Sequence, residues 1–175
     1  MQDNWKDKLR LFLRHRIPLL ITFMLMFIFF VPINSLEVNL FRPAVGFICV
    51  YYWTLKRSYI FSYFSAFCVG FLVDVYSSTP FGVNILTMML LVAATEIVTR
   101  YFSAISFGAS WVLFGVIGLP VILIKWLLMM VYFRQIIVFR EILIGFSSTV
   151  MFYPLIAYIN AWVQSNLLPQ ERINE

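Results

Sequence analysis

Residues 104–133 read AISFGASWVLFGVIGLPVILIKWLLMMVYF, an apolar run whose only charge is Lys125. Its apolar residues are continuous and do not alternate with polar ones, so this is not a strand of a membrane barrel. Hydrocarbon offers no water to backbone N–H and C=O groups, so such a run satisfies itself as a helix. At 1.5 Å per residue the helix overshoots a hydrocarbon core of about 30 Å. It is therefore expected to tilt, kink or protrude, with Gly118, Pro120 and Lys125 as its interruptions.

Outward from that run, five more apolar stretches follow the same logic. They cover residues 17–33, 41–55, 58–76, 80–99 and 142–168. Pro18 falls in a first turn, where a missing N–H does no harm. The Lys56-Arg57 pair closes the second stretch and leaves room only for an antiparallel turn into the third. Thr79 and Pro80 read as N-cap and first residue of the fourth helix. At its end Glu96 and Arg100 are spaced for an acid-before-base pair. Pro154 marks a kink in the sixth. What remains is a basic N-terminal segment, 1–16, and a short tail, 169–175, with no repeat and no separate soluble domain. The expected fold is an all-α membrane protein, a bundle of about six transmembrane helices.

Composition agrees. Of 175 residues, 62% are hydrophobic and 12% charged, with mean hydropathy +0.90. Soluble domains carry about a quarter charged residues, and half that share cannot clothe one in water. Lipid must solvate much of the surface. The formal net charge of +5 does not point to nucleic acid, because the basic residues gather at the ends of apolar runs. With both termini in the cytoplasm, nine basic residues (Lys6, Lys8, Arg10, Arg14, Arg16, Lys56, Arg57, Arg100, Arg172) face inward and three (Arg42, Arg134, Arg140) outward. That asymmetry is what the positive-inside rule demands. Trp53, Trp162 and Tyr132 are expected at the interfaces as anchors. No small-x-small site follows the first run, so it reads as a retained span and not as a cleaved signal.

Chemistry is sparse. His15 is the lone histidine, Cys49 and Cys68 match no metal or redox spacing, and no nucleophile triad or phosphate loop is present. Neither an enzyme nor a metal or cofactor site is expected. The informative stretch is 62–84. Ser62, Ala66, Gly70 and Asp74 recur every fourth residue and share a helix face. Small residues in such a row let another backbone come close, either within the bundle or on a partner's helix. Asp74 lies at a helix C-terminus, where the dipole disfavours an acid. Two structural roles suit it, an ion pair with Arg42 or capping of the turn 77–82, and contact with a partner or with a solute or ion are the alternatives. Lys125 either snorkels outward or makes a buried polar contact. Ser147, Ser148 and Thr149 can bond back to carbonyls one turn earlier.

These stretches resemble one known family. Arg42-Pro43 opens a span, Tyr52-Trp53-Thr54-Leu55-Lys56-Arg57 closes it, and Gly70-Phe71-Leu72-Val73-Asp74 precedes Thr79-Pro80-Phe81-Gly82-Val83-Asn84. Their order and spacing are similar to the MreD family pattern of R-P, Y-W-x-L-x-R, G-x-x-x-D and a P-x-G turn. The family often carries an acid after R-P, whereas Ala44 stands here, so any role of that acid does not transfer. The resemblance implies an inner-membrane component of the rod complex, or elongasome, which directs lateral peptidoglycan synthesis and rod shape. It implies MreC as partner and, through MreC, the MreB filaments, RodA and its transpeptidase partner. It also implies a fold similar to the substrate-binding subunits of energy-coupling-factor vitamin transporters, so a solute-binding subunit is the rival function. Such a subunit needs convergent polar groups, and the interior candidates Thr22, Thr54, Asn84, Thr87 and Thr95 are scattered. An ion channel or transporter would need a relay of membrane acids.

Scaffolding by helix packing is the expected mechanism, with the N-terminal basic residues gripping anionic lipid at about 1 kcal/mol each. The structural or partner-binding candidates are Arg42, Pro43, Tyr52, Trp53, Arg57, Ser62, Ala66, Gly70, Asp74, Pro80, Gly82 and Asn84.

Overall fold

A computed structural model describes residues 17–29, 43–58, 61–77, 79–101, 106–136 and 138–167. Among these residues there are six helices and no strand. They are α1 (Ile17–Phe29), α2 (Val45–Arg57), α3 (Tyr63–Tyr76), α4 (Val83–Tyr101), α5 (Phe107–Phe133) and α6 (Phe139–Leu167). Three of them, α4, α5 and α6, are long and apolar enough to cross a membrane, while α1 and α3 are shorter apolar helices.

Two helices show how the same composition serves opposite surroundings. In α2 every residue from Val45 to Thr54 is buried. A helix apolar all round is covered by something, and here the cover is protein: α2 packs against α3, α4 and α6, and Leu25 and Met26 of α1 join the same core. Its 13 residues span about 20 Å, short of the ~30 Å of hydrocarbon. The helix of the second run is thus shorter than the hydrocarbon is thick, and protein surrounds most of it. By contrast α5, with 27 residues, turns Val112, Val116, Leu127 and Val131 outward, where lipid takes the place of a core. Pro120 and Gly118 are accommodated inside one continuous helix.

Aromatic rings lock α2, α5 and α6 together. Phe114 stacks on Tyr153 at 4.8 Å and meets Tyr51 edge-on at 5.1 Å. Both tyrosine hydroxyls end on Ser110, Tyr51 donating to its carbonyl and Tyr153 to its Oγ. Rings of this size bring large apolar burial, and their hydroxyls need a partner inside.

Several expected boundaries move. The second helix starts at Val45, not near residue 41, and ends at Arg57; the third starts at Tyr63 after a connection through buried Phe61. The fourth starts at Val83, three residues past Pro80. The sixth starts at Phe139, with Glu141 in its first turn, where the helix dipole favours an acid. Trp53 is no interfacial anchor: it is wholly buried, its indole edge-on to Tyr52 at 5.5 Å. Trp162 and Tyr132 are exposed, as anchors would be.

Candidate functional site

The polar interior gathers around Asp74. This side chain is 3% exposed and accepts five hydrogen bonds. Its Oδ1 takes the Thr79 hydroxyl at 3.1 Å, the Asn84 backbone N–H at 3.0 Å and Asn84 Nδ2 at 2.9 Å. Its Oδ2 takes the backbone N–H groups of Gly82 at 2.8 Å and Ile85 at 3.4 Å. The first N–H groups of a helix have no partner within it, and α4 receives its partner from the end of α3. This resolves the misfit seen in the sequence. An acid at the negative end of its own helix sits at the positive end of the next, and carboxylate-to-amide bonds of this kind are about twice as strong as neutral ones.

That arrangement corrects the reading of Thr79 and Pro80. Thr79 does not cap α4; its hydroxyl donates to Asp74 and accepts from Asn84 Nδ2 at 2.7 Å. Pro80 is not helical, and its carbonyl accepts the Val83 N–H in a turn. Gly82 closes this turn with φ +99°, a conformation that costs any residue with a Cβ.

Gly70 lies one turn before Asp74 and makes the junction possible. A Cβ there would lie 2.6 Å from Ile85 Cα and 2.9 Å from the Asn84 carbonyl oxygen, inside any tolerable contact. Thus the small-residue face of α3 packs inside the bundle against α4, with Ala66, Gly70 and Asp74 buried along it. Ser62 does not join them. It is exposed at the N-cap of α3, and its carbonyl accepts from Ser65 and Ala66.

Asn84 carries the network to α5. Its Nδ2 is spent on Asp74 and Thr79, and its Oδ1 accepts from Lys125 Nζ at 2.7 Å. Lys125 therefore points into the bundle, and the outward-snorkelling alternative is set aside. Beside this network is a cavity of about 440 Å³ lined by Pro43, Asn84, Lys125 and mainly apolar side chains. A second cavity of about 260 Å³ shares Ala44, Phe47, Ile122 and Lys125 with it. Sequence reasoning missed both cavities.

It also missed a second cap supplied by another helix. The N-cap position of α2 is Ala44, which has no oxygen to offer, and its N–H donates to Thr149 Oγ1 of α6 at 3.0 Å. Thr149 in turn donates to the Gly145 carbonyl, the back-bond expected of it. An alanine at the N-cap position, with no side-chain oxygen to offer, was the available signal.

The remaining candidates lie elsewhere. Tyr52 donates to Gln164 Oε1 at 3.0 Å, joining α2 to α6 far along the chain from Asp74. Arg57 ends α2 and is half-buried. The Arg42–Asp74 ion pair lies outside the described residues, because Arg42 is not among them. Among the described residues no group of three metal-binding side chains converges.

No curated protein and no solved structure matches the chain. The family model of the rod shape-determining protein MreD covers residues 8–161, a stretch that takes in α1–α5 and most of α6, and this chain belongs to that family.

Proposed function

We propose that this chain is a non-enzymatic, multi-pass component of the rod complex in the bacterial inner membrane. In this reading it binds MreC and, through it, helps control lateral peptidoglycan synthesis and rod shape. The observation that carries it is membership of the MreD family along most of the chain. The use of the interior polar groups supports it: Asp74, Asn84 and Thr149 hold helices to one another, which is what a scaffold needs. Both termini are placed in the cytoplasm on the charge asymmetry of the connections.

Depletion should turn rods into spheres, and rods of unchanged width and length would refute the assignment. Photo-crosslinkers at exposed positions on three helices, Phe71 of α3, Val116 of α5 and Tyr158 of α6, should capture MreC from one of them and not from all. Reporter fusions should place both chain ends in the cytoplasm.

A solute-binding function draws on one observation, the 440 Å³ cavity, a volume within the ~300–1,000 Å³ of small-molecule pockets. A vitamin copurifying with the protein would favour it.

A further inference from the structure

The cavity beside Lys125 has a chemistry that narrows its occupant. Met26, Phe47, Met88 and Ile122 supply apolar walls. Most nearby polar groups are already engaged: Thr87 Oγ1 donates to the Val83 carbonyl at 2.7 Å, and the Asn84 amide nitrogen is bound to Asp74 and Thr79. Lys125 differs. An ammonium has three donors, and among the described residues Nζ meets one acceptor, the neutral Asn84 Oδ1. Asp74, bonded to the same Asn84 amide, supplies a counter-charge across it, but its two oxygens already carry five donors and, among the described residues, none of them is Lys125 Nζ. Lys125 also lines the neighbouring 260 Å³ cavity. Two of the three ammonium donors are thus without an acceptor among the described residues, on a side chain that lines two mainly apolar spaces.

We propose that these adjoining cavities bind a single-chain anionic amphiphile. Its carboxylate or phosphate head pairs with Lys125 Nζ and accepts its remaining N–H donors, and its chain fills the space along Phe47 and Ile122. A multiply polar solute fits poorly, because few donors and acceptors are left to recognise it. The proposal is independent of the rod-complex assignment, which is tested by cell shape.

The test uses the full chain in nanodiscs of zwitterionic phosphatidylcholine. The fluorescent carboxylate cis-parinarate should bind saturably, with energy transfer from tryptophan. Displacement by oleate but not by oleyl alcohol is expected, because the alcohol keeps the chain and lacks the charge. Lysophosphatidate in the same competition decides the natural head: stronger displacement than oleate assigns a phosphate, weaker a carboxylate. Lys125→Met should weaken binding about tenfold or more, the worth of one charged hydrogen bond, while Lys125→Arg retains it. Lys125 also holds Asn84, so Ala44→Phe provides a second variant that leaves this bond in place and fills the wall shared by both cavities. It should abolish binding while melting within a few degrees of the parent. Non-saturable binding, equal displacement by the alcohol, or undiminished binding to Ala44→Phe would each overturn the proposal.

Discussion

The two ends of α2 bury polar groups in opposite ways. Near its start, the Asp74–Asn84–Lys125 network and the Thr149 cap leave only Lys125 Nζ with donors to spare: both Asp74 oxygens are filled and both ends of the Asn84 amide are used. Near its end Trp53 and Thr54 are wholly buried, and so is Asn160, which reaches α2 at Cys49. There Trp53 Nε1, Thr54 Oγ1 and Asn160 Oδ1 have no partner among the described residues. Burial alone therefore does not mark a polar residue as organising. A buried group that bonds across helices fixes their register, because any displacement leaves it unpaired. One that bonds to nothing imposes no geometry and is a cost the surrounding packing must offset.

The largest effect should come from cutting the centre of the first region. Asp74→Ala leaves the N–H groups of Gly82, Asn84 and Ile85 without their acceptor. Loss of a buried charged partner of this kind costs about 3–5 kcal/mol. Thermal melting of the purified protein in detergent should show a drop many times that of a control at exposed Trp162. A drop equal to the control would mean that the network does not organise this end.

Next comes Gly70→Ala, which adds only a methyl but sets it 2.6 Å from the Ile85 backbone. The helices must part, at a cost of about 1–3 kcal/mol. Asp74 should then lose its short bonds as well, so Gly70→Ala combined with Asp74→Ala should cost less than the sum of the two. Strict additivity would separate packing from capping and break the picture of a single junction. Thr149→Val removes one neutral cap from the start of α2 and should cost about 1 kcal/mol.

The two regions also differ in how far the sequence reveals them. Long apolar runs announce helices, and the ends at Tyr76 and Phe133 fall where the runs stop. Helix starts at 80 and 41 failed for a physical reason. The groups capping α4 and α2 come from other helices, Asp74 of α3 and Thr149 of α6, and no local pattern displays a cap supplied from a distance. Gly70 and Asp74 were legible as one face, and Gly82 and Asn84 as one turn. That the face and turn close on each other was not. Lys125 stayed open between two readings for the same reason, since the Asn84 that decides between them is 41 residues away. Trp53 was misplaced because its sequence surroundings suit a ring covered by lipid headgroups as well as one covered by protein.

The smallest effect sharpens the comparison most, because its sign is opposite. Thr54→Val keeps the shape of a fully buried side chain and deletes an oxygen without a described partner. If that hydroxyl is unpaired in the folded protein, its removal relieves a desolvation cost, and replacing an unsatisfied polar group by an apolar one of equal shape is neutral or favourable. The melting temperature should stay level or rise, with a gain of up to about 1 kcal/mol. The matched change in the first region, Thr87→Val, deletes a hydroxyl that donates to the Val83 carbonyl and should lower stability by about 1 kcal/mol. Two threonines of equal burial would then give opposite signs, set by pairing alone. A loss at Thr54 as large as that at Thr87 would mean that a bridging group satisfies the inner region, and the contrast between the two ends would fail.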